Sequence, residues 1–331
     1  MEKSFDVIGI GWPCVDYAMH VQSMPKADSG SSVLGASWQG GGVVPTGLAA
    51  ASRLGLRCAL IGCVGDDLMG QFCRQDLIDH GIDVSHLQVM QDSTTDMAVV
   101  LSDDETQGRS ILYRSGTLDW RKAGKIDLDF VRQAKYLFIS GFNDGIIEAA
   151  KAVREAGGKV LIDASGGNLN RWAGIVPYVD YLVGSSYLYR DSFSDDHYEE
   201  NIRKVQAMGP EVAAFTFGSF GVRAADAREY VEVPAFKVDV VDTLGAGDVF
   251  HGAFFYGLVH GLPLRDTIRF ASAVSAIKCT APGGRAGIPR EDTVKRFLET
   301  GEIDREEIDQ RAEKYAWGLD RFLREHGTDP V

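Results

Sequence analysis

The residues best suited to chemistry in this 331-residue chain are Asp242-Thr243-Leu244-Gly245-Ala246-Gly247-Asp248-Val249-Phe250-His251-Gly252-Ala253-Phe254. Val238, Val240 and Val241 before them read as a strand, and Gly245 and Gly247 flank Ala246 in a turn. Val249, Phe250, Ala253, Phe254, Gly257 and Leu258 then recur at helical spacing. A glycine-rich turn that opens a helix aims unpaired backbone N–H groups outward at the positive end of the dipole, which suits an anion. Asp248 enters at that same helix start. Beside an anion a carboxylate is a poor binding group, because like charges repel. It makes sense as a base that takes the proton of a nucleophile attacking a phosphate. The plain alternative is an aspartate that favours a helix N-terminus after glycines that merely turn the chain.

Such a base needs a second binding face and a scaffold. Phe5–Ile10 reads as a first strand ending in Gly9-Ile10-Gly11. A dinucleotide loop is disfavoured there, since the third glycine of Gly-x-Gly-x-x-Gly would fall at Cys14 and Pro13 blocks a helix. Asp16 follows closely. Residues 21–39 are polar and small and read as short strands and loops. Gly40-Gly41-Gly42, which lets backbone approach a ligand, precedes a helix over about residues 45–54, with Pro45 in its first turn and Gly55 stopping it. Strand 58–64 and helix 69–80 follow, then a hairpin of 97–101 and 110–114. From 136 to 216 strands and helices alternate (136–140, 145–155, 159–163, 169–172, 181–183, 198–208, 212–216), which predicts a parallel sheet covered by helices. Asn143 and Asp163 fall just past strand C-terminal ends, the edge where open α/β sheets bind ligands. Asp163 reads as an ordinary loop residue. Residues 230–233 read as a strand and 265–279 as a helix.

Hydrophobic residues make up 45% of the chain and charged residues 24%, the balance of a globular protein with a substantial core. The formal net charge of -13 argues against nucleic acid or an anionic membrane surface as partner, since both need a basic face. The five cysteines, without a Cys-x-x-Cys, fit a reduced, cytoplasmic protein with buried thiols. No signal peptide is visible, and no apolar run is long enough to span a bilayer.

The run Asp242-Thr243-x-Gly245-Ala246-Gly247-Asp248 resembles the C-terminal signature of the PfkB (ribokinase-like) family of sugar and nucleoside kinases. Gly41-Gly42 and Arg53-Leu54-Gly55 resemble its N-terminal one, and the resemblance covers about residues 4–300. It implies a ribokinase-like α/β fold: a central, mostly parallel sheet flanked by helices, with a small β-strand lid drawn from about 12–40 and 95–118. The kinase domain would span 1–302. Residues 303–331 would add an amphipathic helix (Ile308, Ala312, Tyr315, Ala316, Leu319, Phe322, Leu323) that docks on its own domain or on a partner subunit.

For the site, the resemblance implies ATP with Mg²⁺, Asp248 as the base, and backbone N–H groups of Gly245, Ala246 and Gly247 holding the phosphoryl charge. The sugar would meet Asp16, Gly41, Gly42 and Asn143, with Thr46 standing where asparagine is usual. Arg114, in a run similar to that of sugar-acid kinases, would reach the substrate or remain an exposed strand cation. Thr216, Gly218 and Gly221 match the nucleotide turn, and Ser275 and Gly283 fall where adenine binds. Ser185 takes the first place of Asn-x-x-Glu and Leu188 the last, so the metal-assisting carboxylate is missing. Asp242 matches a monovalent cation position, implying K⁺. The lid implies a homodimer. No Walker A motif is present. A ketose or related sugar is the expected acceptor; a sugar acid, a sulfosugar, and a non-catalytic binding protein on the same fold stand as alternatives.

Overall fold

Near-continuous apolar strands form one large sheet, as buried parallel strands require. The computed structural model describes residues 3–106, 108–119 and 124–326; the expected hairpin connection at Gln107 and the last five residues of the expected C-terminal extension lie outside the described residues. In chain order the elements are β1 (Phe5–Ile10), β2 (Cys14–Val21), β3 (Val33–Gly41), α1 (Val43–Arg53), β4 (Cys58–Gly65), α2 (Leu68–Asp79), β5 (Leu87–Met90), β6 (Asp96–Asp103) and β7 (Arg109–Arg114). Then come α3 (Leu128–Val131), β8 (Ala134–Ile139), α4 (Asp144–Glu155), β9 (Lys159–Ala164), α5 (Leu169–Trp172), β10 (Tyr181–Ser185), α6 (Ser186–Ser192), α7 (Tyr198–Gln206) and β11 (Val212–Thr216). The chain continues with β12 (Val222–Ala225), β13 (Tyr230–Val233), α8 (Ala246–Val259), α9 (Leu264–Lys278), α10 (Glu291–Thr300) and α11 (Glu306–His326).

The main sheet runs β13-β12-β11-β10-β9-β8-β1-β4-β5, parallel from β11 to β5 and antiparallel at β12 and β13. Strand alternation splits its side chains between two cores. Phe138, Leu161, Val183 and Ala214 face one core with α1, α8 and α9. Leu137, Ile162, Leu182 and Ala213 face the other with α4 and α7. A second sheet, β3-β2-β6-β7, forms the lid.

Val238, Val240 and Val241 are not a strand. Both the Val241 and Asp242 N–H groups donate to the Cys279 carbonyl at the end of α9, at 2.8 and 3.1 Å, so no ladder partner remains. Val240 and Val241 are 44% and 41% exposed. Helix α1 begins at Val43 because Gly42, at φ 92, caps it in a conformation open to glycine. Pro45 then sits in the first turn, where its missing N–H costs nothing. The short strands β5 and β12 and helices α6 and α10 lie outside the elements expected from the sequence.

The C-terminal helix docks on this chain: Tyr315 and Phe322 are buried, and Phe322 meets Phe72 of α2 edge to face at 5.7 Å. Its non-helical Gly318 lies against Trp38 of β3.

Candidate active site

The first turn of α8 sits at the C-terminal edge of the main sheet. Gly245, left-handed at φ 70, is its cap, and no side chain takes that role. The Ala246 N–H turns back onto the Thr243 carbonyl at 3.2 Å. Among the described residues the open donors here are therefore the N–H groups of Gly245, Gly247 and Asp248, a small anion cradle at the helix dipole.

Asp248 lies half-buried in that turn. Its pKa is raised to about 7, first by loss of solvent and then by the Asp163 charge, with Asp16 adding to it and His251 and Arg109 opposing. Asp163, read from the sequence as an ordinary loop residue, is instead the buried penultimate residue of β9. Its carboxylate accepts from Ser165 and lies 3.7 Å from Nδ1 of His251. His251 is buried one turn after Asp248, with Nδ1 2.6 Å from the Gly247 carbonyl and Nε2 3.3 Å from the Val183 carbonyl.

The opposite wall is the lid root. Asp16 on β2 pairs with Gln39 on β3, and its carboxylate lies so close to Gly41 that any side chain there would overlap it. Burial raises the Asp16 pKa to about 6, against the pull of Arg285. Gly42 packs on the Trp12 carbonyl with no room for a Cβ. A Cβ on Gly245 would stand 3.5 Å from Thr46 Cγ2, so the glycine cradle and the anion cradle abut. The Thr46 hydroxyl accepts from Nε of the buried Arg285 at 3.3 Å. Asn143 caps α4, its Oδ1 accepting the Ile146 N–H at 3.0 Å, and with Trp12, Ser140 and Phe142 it lines a cavity of about 330 Å³.

Ser185 and Thr216 are register partners at the ends of β10 and β11. Ser185 caps α6, and Thr216 donates to the Gly184 carbonyl at 3.4 Å. Gly218 and Gly221 form the turn between β11 and β12, closed by Phe217 N–H on the Gly221 carbonyl. Ser275 donates to the Ala246 carbonyl at 2.8 Å, which fixes α9 to the anion turn. Leu188 is fully buried, so its site holds core rather than a carboxylate.

Asp242 fits a monovalent ion poorly. Its carboxylate accepts the Leu244 and Gly283 N–H groups, each at 2.9 Å, and its carbonyl accepts the buried Lys278 ammonium at 2.9 Å. Among the described residues no group of three or more His, Cys, Asp or Glu is arranged to hold a metal. All five cysteines are buried and free, and no described helix is long and apolar enough to cross a membrane.

The side chain of Arg114, on the exposed β7, makes no polar contact among the described residues. Arg109 does: its Nη1 donates to the Thr243 hydroxyl at 2.8 Å, bringing a lid cation to the anion turn. No sequence signal marked it, because it is one polar residue at the edge of an exposed strand.

Fold and site together define a phosphotransferase. Residues 13–291 match the pfkB family carbohydrate kinases, and the chain belongs to that family. Relatives include the aminoimidazole riboside kinase of Salmonella typhimurium, 29% identical over 75% of this chain and 84% of its own. The 5-dehydro-2-deoxygluconokinase of Shouchella clausii is 26% identical over 90% of this chain and 96% of its own. Among solved structures, Arabidopsis thaliana ribokinase, complexed with ribose and ATP, superposes with a TM-score of 0.74 at 22% identity, covering 90% of this chain and 99% of that one. The chain is thus a sugar or nucleoside kinase with the ribokinase-like fold.

Proposed function

We propose that this kinase transfers the γ-phosphoryl group of ATP to a hydroxyl of a sugar or sugar-like alcohol, with Asp248 as general base. The observation that carries this reading is Asp248 itself. A carboxyl with a pKa raised to about 7 stands at a helix N-terminus whose open N–H groups can hold a phosphoryl oxygen. The acceptor lies against Asp16, Gly41 and Gly42, and its hydroxyl gives its proton to Asp248 as the phosphoryl arrives in line. Thr216, Gly218, Gly221, Ser275 and Gly283 surround the nucleotide by backbone and shape, since their side chains are small or already engaged. Mg²⁺, when bound, would neutralise charge on the phosphates, and with Leu188 in the usual carboxylate place Asp163, whose charge already acts on Asp248, is the acid that would assist it.

The first acceptor class is a neutral ketose or related sugar. A sugar acid is the second reading, favoured by Arg114 on the lid, which has no polar contact among the described residues, and by the name of the Shouchella clausii relative. The enzyme is proposed to work as a homodimer in the cytoplasm, its lids paired through the exposed Val33, Leu34, Ile111 and Leu112. The test is ADP release over a panel of ketoses, aldoses, sugar acids and nucleosides. Turnover on a sugar or sugar acid supports the reading. ATP binding without turnover on any member overturns it in favour of a non-catalytic binding protein.

A further inference from the structure

One buried polar chain runs from the C-terminal helix to the glycine cradle. Tyr315 of α11, buried at 4% exposure, donates its hydroxyl to Oδ1 of Asp76 at 2.5 Å. The other oxygen of Asp76 accepts from Nη1 of Arg285 at 2.5 Å. Arg285, 1% exposed, donates from Nη2 to the Gly41 carbonyl at 2.9 Å and from Nε to the Thr46 hydroxyl at 3.3 Å. Its own backbone N–H holds Gln39, the register partner of Asp16. All three guanidinium nitrogens thus donate, and from one rigid plane they fix Gly41, Thr46 and Asp76 at once.

The Tyr315 end is equally determined. His80 Nε2 lies 2.9 Å from the Tyr315 oxygen. With that hydroxyl donating to Asp76, His80 is the Nε2–H tautomer, which leaves Nδ1 a buried acceptor with no partner among the described residues. Burial keeps the ring neutral. Asp76 would also be raised by burial, and Arg285 holds it ionised. Desolvated charges joined this way lock one geometry, because losing any partner leaves the next one unpaired. Helix α11 lies outside the family match of 13–291.

We propose that the C-terminal helix is part of the acceptor site: the Tyr315 hydroxyl, through Asp76 and Arg285, holds the Gly40–Thr46 backbone in its binding shape. Tyr315 is then a positioning residue for the acceptor, and this rests on the reading of Asp16 and Gly41-Gly42 as the sugar cradle. The test is amide hydrogen exchange on the full chain, wild type against Tyr315→Phe, which keeps the ring and removes one hydroxyl. Residues 39–46 should exchange about fivefold or more faster, while α8, which carries Asp248, keeps its wild-type rates. On the acceptor that turns over, KM for that acceptor should rise about tenfold with KM for ATP and kcat little changed.

Changes confined to α2 and α11, with 39–46 at wild-type rates, overturn the proposal. So does faster exchange everywhere, α8 included. If Tyr315→Phe fails to reach the wild-type circular dichroism spectrum, Phe322→Ala is read in the same way. It loosens α11 from Phe72 of α2 without changing Asp76 or any residue of 39–46. The exchange readout needs no substrate. Its failure therefore sinks the relay alone, and absent turnover sinks the kinase reading alone.

Discussion

Arg109 on the lid donates to the hydroxyl of Thr243, 2.8 Å away, in the turn that leads into the anion cradle. This bond, with Leu244 packed on Ala18, Ala98 and Val100, ties the four-stranded lid to the turn that leads into α8 and Asp248. It also places a guanidinium whose charge already acts on that carboxyl. A cation here can meet phosphoryl charge as it develops, the task of fixed donors and arginines in phosphoryl transfer. Arg109→Ala should lower kcat/KM by about 10²-fold, with Arg109→Lys recovering part of the loss, because a point charge replaces only some of a planar fork. Steady-state kinetics check this, and unchanged values for Arg109→Ala would remove Arg109 from the reaction.

Asp248→Asn should reduce kcat by about 10³-fold or more while the fold persists. The wild-type rate should climb with pH through about 7, where Asp248 loses its proton, and then level off. Stability runs the other way. The folded pKa lies above the unfolded value of 3.8, so the native state holds its proton more tightly. Wild type therefore loses stability as pH rises from about 4 through about 7. Asn carries no such cost, so the Tm of Asp248→Asn should gain on wild type across that window and match it at lower pH. A Tm difference that does not change with pH would mean Asp248 is not perturbed.

What could be read in advance follows from which interactions are local. The glycine pattern of 245–248, the strand of β1 and the apolar stripe of α11 are properties of adjacent residues, and each appears at its expected place. Asp163 was passed over because its importance comes from His251 and Asp248, dozens of residues away and joined only by the sheet edge. Arg285 and Asp76 are separated by 209 positions, and no periodicity announces a pair made by tertiary packing. Val238–Val241 misled for the same reason: β-branched residues favour strands, but a strand also needs a neighbour, and the α9 terminus took its N–H groups first.

His251 should act through Asp248 rather than on substrate. It is buried between the Gly247 and Val183 carbonyls and the Asp163 carboxylate, and its presence lowers the Asp248 pKa. In His251→Asn the rising limb of the pH–rate profile should move to higher pH, with the high-pH plateau closer to wild type than the neutral rate. A profile that drops uniformly without moving would assign His251 to packing alone.

Asp242 already has its cation. The fully buried Lys278 Nζ donates to its carbonyl at 2.9 Å, and each carboxylate oxygen accepts one backbone N–H. Turnover should therefore be the same in K⁺, Na⁺ or tetramethylammonium at matched ionic strength. Activation by K⁺ over the other two would show that a free ion competes for this loop after all.

The proposed lid pairing is tested through the outer lid strand. All six residues of β7 are exposed, and Ile111, Leu112 and Tyr113 are 52%, 60% and 58% accessible. On β3, at the other edge of the same sheet, Val33 and Leu34 are each 55% exposed. Apolar residues grouped like this on a thin sheet, with an unpaired strand edge beside them, favour covering by a second lid. Light scattering should give twice the 36.0 kDa chain mass, and Leu112→Asp should shift the protein toward monomer by desolvating a charge in the interface. Because the lid also carries Asp16 and Arg109, the monomeric variant should lose affinity for the acceptor while ATP binding is kept. A wild-type protein that scatters as a monomer at working concentration rules the lid pairing out.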